Sequence, residues 1–168
     1  HANNEIGTIQ PITDLAEITH RHGALFHTDA IQSVGKIPVN VKTLGTDLLS
    51  LSAHKYNGPK GVGALWLKRG VRLSTVQTGG RHERNRRAGT ENVPGLVGLG
   101  VASELAKGKL AESKKRFSAL RDLLEKGILR SVSDTAINGQ QNQRVPNTSN
   151  ISFAGVEAES LLIALDLE

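Results

Sequence analysis

The stretch Asp47-Leu48-Leu49-Ser50-Leu51-Ser52-Ala53-His54-Lys55 decides the fold. An apolar run of strand length breaks into Ser-Ala-His-Lys, so a lysine is delivered just past the carboxyl end of a β-strand. Upstream, Ala24-Leu25-Phe26-His27 reads as a second short buried strand that presents Thr28-Asp29 at its own carboxyl end. Each run is preceded by polar or helical pattern. The order of elements is therefore one of alternating strands and helices, which is the signature of an α/β layer architecture.

Working outward, Ile12, Leu15, Ala16 and Ile18 fall on one helical face between Pro11 and Gly23, an opening proline and a closing glycine. A turn around Ile31 to Gly35 and an irregular stretch with Pro38 lead into the strand at 47–52. After the glycine-rich Asn57-Gly58-Pro59-Lys60-Gly61, Val62 to Leu67 forms another strand that pairs close by. Residues 93–130 predict two consecutive helices joined near Gly108, with stripes Val93, Val97, Val101, Leu105 and Phe117, Leu120, Leu124, Ile128. From about residue 132 the texture changes to short strands, Ala136-Ile137-Asn138 and Asn150-Ile151-Ser152-Phe153. A final amphipathic helix runs from Glu157 to Leu165.

Composition narrows the class. The chain has 168 residues, 38% hydrophobic and 22% charged, which is enough for one ordinary domain with a core. No run approaches the roughly 20 apolar residues of a membrane helix, so no membrane association is expected. With no cysteine there is neither a disulfide scaffold nor a cysteine-based metal site, and the six histidines lack metal-binding spacing, so no metal is expected. The net charge of +5 is concentrated at Arg81–Arg87 and Lys107–Lys126. The basic loop holds none of the five aromatics that stacking on bases would need, and the excess reads as solvated surface rather than a nucleic-acid site. The chain also lacks methionine, even at position 1, and is expected not to begin where a gene begins.

In an open α/β sheet, ligands bind at the carboxyl ends of the strands. Asp29 and Lys55 both fall there. A lysine just past one strand, facing an aspartate from a neighbouring one, is what a pyridoxal 5'-phosphate enzyme needs. The lysine holds the cofactor as a Schiff base, and the aspartate keeps the pyridine nitrogen protonated. Ser52 and His54 flank the lysine as donors for a phosphate, and Gln32 is near enough to Asp29 to donate to a ring hydroxyl. Taken singly, an aspartate ending a strand is more often a turn former, and Ser-X-His-Lys is more often a loop. Their occurrence in this order at the ends of successive strands is what carries the reading.

Four segments strengthen it: His1-Ala-Asn-Asn-Glu-Ile-Gly-Thr-Ile-Gln-Pro11, His27-Thr-Asp-Ala-Ile-Gln32, Ser52-Ala-His-Lys-Tyr-Asn-Gly-Pro-Lys-Gly61 and Arg87-Ala-Gly-Thr-Glu-Asn92. In this order and spacing the chain resembles, over essentially its whole length, the cysteine desulfurases of the NifS/IscS type. These belong to the class V aminotransferase group of fold-type I pyridoxal-phosphate enzymes. The resemblance implies a PLP-dependent transferase-like fold, a mostly parallel sheet flanked by helices, followed by the start of a smaller α+β C-terminal domain. Residues 1–108 would be part of the large cofactor-binding domain, and 109–168 a connecting helix with an incomplete small domain.

The resemblance also implies roles. Lys55 and His54 would be catalytic, with Lys55 as the Schiff-base lysine. Asp29 would pair with the pyridine nitrogen, Gln32 with the ring hydroxyl, Ser52 and His54 with the phosphate, and Asn4 would lie beside cofactor and substrate. Thr90 would reach the phosphate bound in a partner subunit, implying a homodimer with shared sites. The implied reaction converts L-cysteine to L-alanine in the cytoplasm, with sulfur passed through an enzyme cysteine to sulfur-acceptor or scaffold proteins for iron–sulfur cluster or thiocofactor assembly.

Three departures from the family stand out. The attacking cysteine of the family lies beyond the segment matching Leu161–Glu168, so this chain is expected to be an internal piece, inactive by itself. The N-terminal portion that supplies further phosphate contacts in the family is not represented either. Gly79-Gly80-Arg81 stands where three glycines are common. A selenocysteine lyase or another class V aminotransferase would share the Asp29/Lys55 arrangement, and a non-catalytic scaffold would keep the fold without the chemistry.

Overall fold

The computed structural model describes all residues, 1–168. Helix α1, Ile12–Arg21, starts just after Pro11 and buries Ile12 and Ala16, two of the positions its spacing puts on one face. Strand β1, His27–Asp29, follows. It begins three residues later than the apolar run suggests, because the pairing partner starts at Leu48 and fixes the register His27 to Leu48. Helix α2, Val41–Leu44, occupies the stretch read as irregular. The Asn40 side chain accepts from the Lys42 N–H at its start, and Gly45, with φ of 68°, closes it. Strand β2, Leu48–Ser52, runs into a single 3-10 turn, Ala53–Tyr56, and β3 spans Gly63–Leu67.

The sheet has the order β1-β2-β3, with β1 and β2 parallel and β2 and β3 antiparallel. It is thus mixed. The parallel pair needs the α2-containing crossover, whereas the glycine-rich residues 57–61 allow β3 to fold straight back. Thr28 and Leu49 face the buried side of this sheet, while His27 and Asp29 face the open side. A separate antiparallel pair, β4 (Thr135–Ile137) with β5 (Ile151–Phe153), precedes helix α4, Ala158–Asp166.

One helix, α3, Val93–Ser131, replaces the two predicted from residues 93–130. Gly108 costs a helix about 1 kcal/mol relative to alanine. It is flanked by Ala106, Lys107, Lys109, Leu110 and Ala111, all good helix formers, and the helix runs through. Near its amino end α3 packs Ala102 against Gly58, and near its carboxyl end it buries Glu125. There Arg144 meets Glu125 in a two-pronged ion pair, both contacts at 2.6 Å, and the Ser149 hydroxyl donates at 2.8 Å. Both charged side chains are about 95% buried.

The first ten residues are tied to this same region. Val145 N–H donates to Gly7 carbonyl at 2.9 Å, Ile9 N–H to Gln143 carbonyl at 2.9 Å, and Asn150 Nδ2 to the Glu5 carbonyl. The sequence start and the 140–150 loop therefore support one another. The opposite faces are open: Leu105, Phe117, Leu120 and Leu124 on α3, and Leu162, Ile163 and Leu165 on α4 are exposed. A folded monomer of this mass exposes about 8,000 Å². This 18.0 kDa chain exposes 11,761 Å², and the exposed apolar side chains of α3 and α4 are part of that excess.

Candidate functional site

The pairing register builds the site. Asp29 lies opposite Ser50 in the parallel β1–β2 pair, and Ala30 N–H donates to the Ser50 carbonyl at 2.9 Å. Because side chains alternate along a strand, Asp29, Ser50 and Ser52 share one face. His27 is on that face too, its Nε2 sharing a 2.7 Å hydrogen bond with Ser50 Oγ. The Asp29 carboxylate is oriented from within: Oδ1 accepts the Ile31 N–H at 2.7 Å, leaving the second oxygen unengaged and on the exposed side.

Ser52 ends β2 and starts the 3-10 turn. Its Oγ lies 2.8 Å from His54 Nδ1, so the two side chains form one polar unit at the head of the turn. Lys55 follows, exposed, between buried neighbours Ala53 and Tyr56. Those neighbours pin the turn. Gly58, close to Ala53 and Ala102, has no room for a side chain: an added Cβ would sit 2.8 Å from Ala53 Cβ and 3.1 Å from Ala102 Cβ. Gly35, in the left-handed region at φ of 77°, would put a Cβ 2.6 Å from Tyr56 Cβ. The Tyr56 hydroxyl reaches Ser103 of α3 at 3.3 Å.

Gln32 sits on the double turn that follows β1, where Ser33 and Val34 N–H groups both donate to Ala30 carbonyl. Its Oε1 accepts from Lys36 Nζ at 2.5 Å. Lys36 was not singled out from sequence, although its position four residues after Gln32 is a spacing at which two side chains meet across a helical turn. The Lys36 ammonium is held below the usual lysine range, chiefly by burial and secondarily by the charge of Lys55. Ser50 was missed for a simpler reason: only the strand register reveals that it faces Asp29.

Asn4 is exposed at the tip of a turn held by Asn3, whose Oδ1 accepts the N–H groups of Glu5 and Ile6 at 2.8 and 2.9 Å. That turn is anchored at the site by the His1 nitrogen, which donates to the Asp29 carbonyl at 2.7 Å. Thr90 is exposed on the loop leading into α3 and makes no hydrogen bond to any of the other six residues. Asp29, Ser52, His54 and Lys55 are thus gathered at the carboxyl ends of β1 and β2, with Gln32 on the adjoining turn and Thr90 standing apart.

Beside this face runs an open groove of about 820 Å³. Lys36, Lys55 and Tyr56 form part of one wall, and Ala102, Leu105 and Phe117 of α3 part of the other. Asp29, Gln32, Ser52 and His54 do not line it. Lys55 therefore stands where the polar strand-end face meets the groove.

The donor set suits a phosphorylated pyridine aldehyde. A carboxylate oxygen accepts from a protonated ring nitrogen, the Ser52–His54 pair offers hydrogen bonds to phosphate oxygens, and an accessible primary amine reaches a carbonyl carbon. The same constellation is poor for a metal, because no cluster of three histidine, aspartate or glutamate side chains forms.

The model of the class-V aminotransferase family matches residues 1–168. A cysteine desulfurase of Gluconacetobacter diazotrophicus is 52% identical over 165 residues, covering 98% of this chain and 41% of the relative. The cysteine desulfurase IscS of Dictyoglomus turgidum is 52% identical over 168 residues, covering 100% and 43%. Among solved structures, a NifS-like protein from Rickettsia africae superposes with a TM-score of 0.94 at 36% identity, covering 99% of this chain and 46% of that one. SspA, solved in complex with cysteine, superposes with a TM-score of 0.76 at 31% identity, covering 100% and 46%. The chain spans about two fifths of the length of the curated relatives it matches.

Proposed function

The chain belongs to the class-V aminotransferase family, and we propose that it carries the cofactor-anchoring part of a cytoplasmic, homodimeric, pyridoxal 5'-phosphate-dependent cysteine desulfurase. The observation that carries this is the β1–β2 register. By setting Asp29 opposite Ser50, it places an acceptor carboxylate on the strand-end face from which Ser52, His54 and Lys55 continue. Identities of about 50% to named cysteine desulfurases support the choice of reaction within the family.

Bound PLP would supply an electron sink that acidifies the substrate Cα–H and so activates the neighbouring Cβ–S bond. The chain's own residues do the rest. Asp29 receives the ring N–H and keeps that proton in place. Ser52 and His54 hold the phosphate, with His54 also a neighbour of the reacting centre. Gln32 donates to the ring hydroxyl, and Asn4 borders the substrate. Lys55 would anchor the cofactor, and its Nζ would carry the proton between the substrate Cα and the rest of the carbon skeleton. Thr90 reaches the phosphate of a partner subunit.

The net change is L-cysteine plus a thiol giving L-alanine plus a persulfide. The C–S bond breaks, an S–S bond forms and the carbon gains a proton. These 168 residues contain no cysteine, so none of them supplies the thiol. Sulfur-acceptor or scaffold proteins for iron–sulfur cluster or thiocofactor assembly would take the sulfur on.

The test is to supply the purified full-length protein with PLP, L-cysteine and a soluble thiol, and to quantify alanine and released sulfide. Equal amounts of both, lost in Lys55→Ala together with the visible absorbance, are expected. Cysteine consumed without alanine, or alanine formed equally by Lys55→Ala, overturns the reading.

A further inference from the structure

Lys36 has no role in the reading above, yet its Nζ lies 2.5 Å from Gln32 Oε1 and it lines the same groove as Lys55. A lysine ammonium has three donors and no acceptor. Whichever way a glutamine amide is turned, only its oxygen satisfies such a neighbour. The Gln32 oxygen is therefore committed to Lys36, and its NH₂ group is the end left to meet anything else.

Two features hold Lys36 where it can do this. It follows Gly35, whose missing side chain lets the turn close against Tyr56, the residue next to Lys55. Its own N–H donates to the Ser33 carbonyl at 3.0 Å, and the next N–H, of Ile37, donates to the same oxygen. The side chain is half-buried and its Nζ is tied to Gln32, so it is a positioned group rather than a loose surface one.

We propose that Lys36 is a positioning residue that locks the Gln32 amide with its NH₂ group toward the cofactor's ring hydroxyl, so that Gln32 can only donate to that oxygen. The inference rests on the assignment of a PLP site here and deepens it. Without Lys36, the amide is free to turn its oxygen toward the ring oxygen and lose the hydrogen bond it donates there. Lys36 touches neither substrate nor cofactor in this role.

The test is a double-mutant cycle on the full-length holoenzyme, read by PLP dissociation constant and by the position of the visible absorption band. Uptake of PLP by the wild type, lost in Lys55→Ala, is established first. Its failure sinks the site assignment itself, and this inference with it. Given that uptake, Lys36→Met is expected to weaken PLP binding about tenfold, the worth of one hydrogen bond to a charged group, and to move the band. On top of Gln32→Leu the same change should add less than about twofold, the usual limit of additivity error. Should Lys36→Met melt too low to assay, Lys36→Gln replaces it with the same criteria, because a neutral amide accepts either orientation of Gln32. Equal losses with and without Gln32, or an unmoved dissociation constant and band, overturn the proposal.

Discussion

Asp29 and Ser50 face each other across the only parallel strand pair in the chain, and that register sets the spacing of Asp29 from Ser52, His54 and Lys55. With Ile31 N–H on one oxygen at 2.7 Å, Asp29 keeps its other oxygen for a ligand. Asp29→Asn keeps the size and the Ile31 contact but replaces an acceptor by a donor on one side. The expected result is at least about tenfold weaker PLP binding with little change in melting temperature. Absorbance titration and thermal denaturation check the two halves.

Gly35→Ala should disturb the site without touching it. The backbone there is left-handed, and the new methyl would meet Tyr56 Cβ at 2.6 Å. Backbone strain and overpacking together are expected to cost about 2–4 kcal/mol. Chemical denaturation measures this, and reductive methylation followed by peptide mapping should show altered reactivity at Lys55, the residue beside Tyr56.

The Glu125–Arg144 pair makes a sharper stability prediction. Arg144 chiefly, opposed by burial and aided by Ser149, holds the Glu125 carboxyl below its usual range. Glu125→Gln leaves a buried guanidinium without its counter-charge and is expected to destabilise by about 3 kcal/mol or more. The combined Glu125→Leu/Arg144→Met variant, which removes both charges, should lose less. Equal or greater loss in the double variant would contradict a desolvation-dominated pair.

Asp47 predicts the acid limb of stability. Burial opposes its charge. The Phe26 N–H at 3.0 Å, His20 at 2.6 Å and Lys68 at 3.1 Å outweigh that, and its carboxyl titrates at about 2 rather than 3.8. A depressed folded-state value means the contribution is complete above pH near 4 and is lost as pH falls toward 2. That contribution is on the order of 2 kcal/mol. Asp47→Asn should flatten the stability profile between those limits, as urea melts at stepped pH would record.

The exposed stripes on α3 and α4 predict association. With 11,761 Å² exposed, this 168-residue chain is expected to self-associate or to bind apolar dyes at micromolar concentration. Light scattering coupled to gel filtration checks it. A monodisperse monomer that ignores the dye would contradict the expectation.

Much of the α/β order was legible because Ile12, Ala16 and Leu49 obey simple periodicities, and because Asp29 ends, and Lys55 closely follows, apolar runs of strand length. What periodicity could not supply was pairing. Ser50 and His27 enter the site through register, which depends on residues 21 apart in sequence. The break read at Gly108 failed for an energetic reason: one glycine does not outweigh strong helix formers on both sides. Helix α2 was hidden because four residues carry too little pattern, although Asn40 and Gly45 bracket it with ordinary cap chemistry. Lys36 escaped notice because its importance lies in which end of a neighbouring amide it faces, a matter of donors and acceptors that hydrophobic pattern does not encode.

Gly35 and Gly58 have a bearing on how this chain can change over generations. Every amino-acid-altering single-nucleotide change to a glycine codon introduces a Cβ. At these two positions that atom would fall 2.6 Å from Tyr56 and 2.8 Å from Ala53. The turn bearing Lys55 therefore has no room for any other residue at either position. At residues 35 and 58 every such change is expected to disturb the turn, so selection on its packing alone would hold both glycines and, with them, the setting of Lys55.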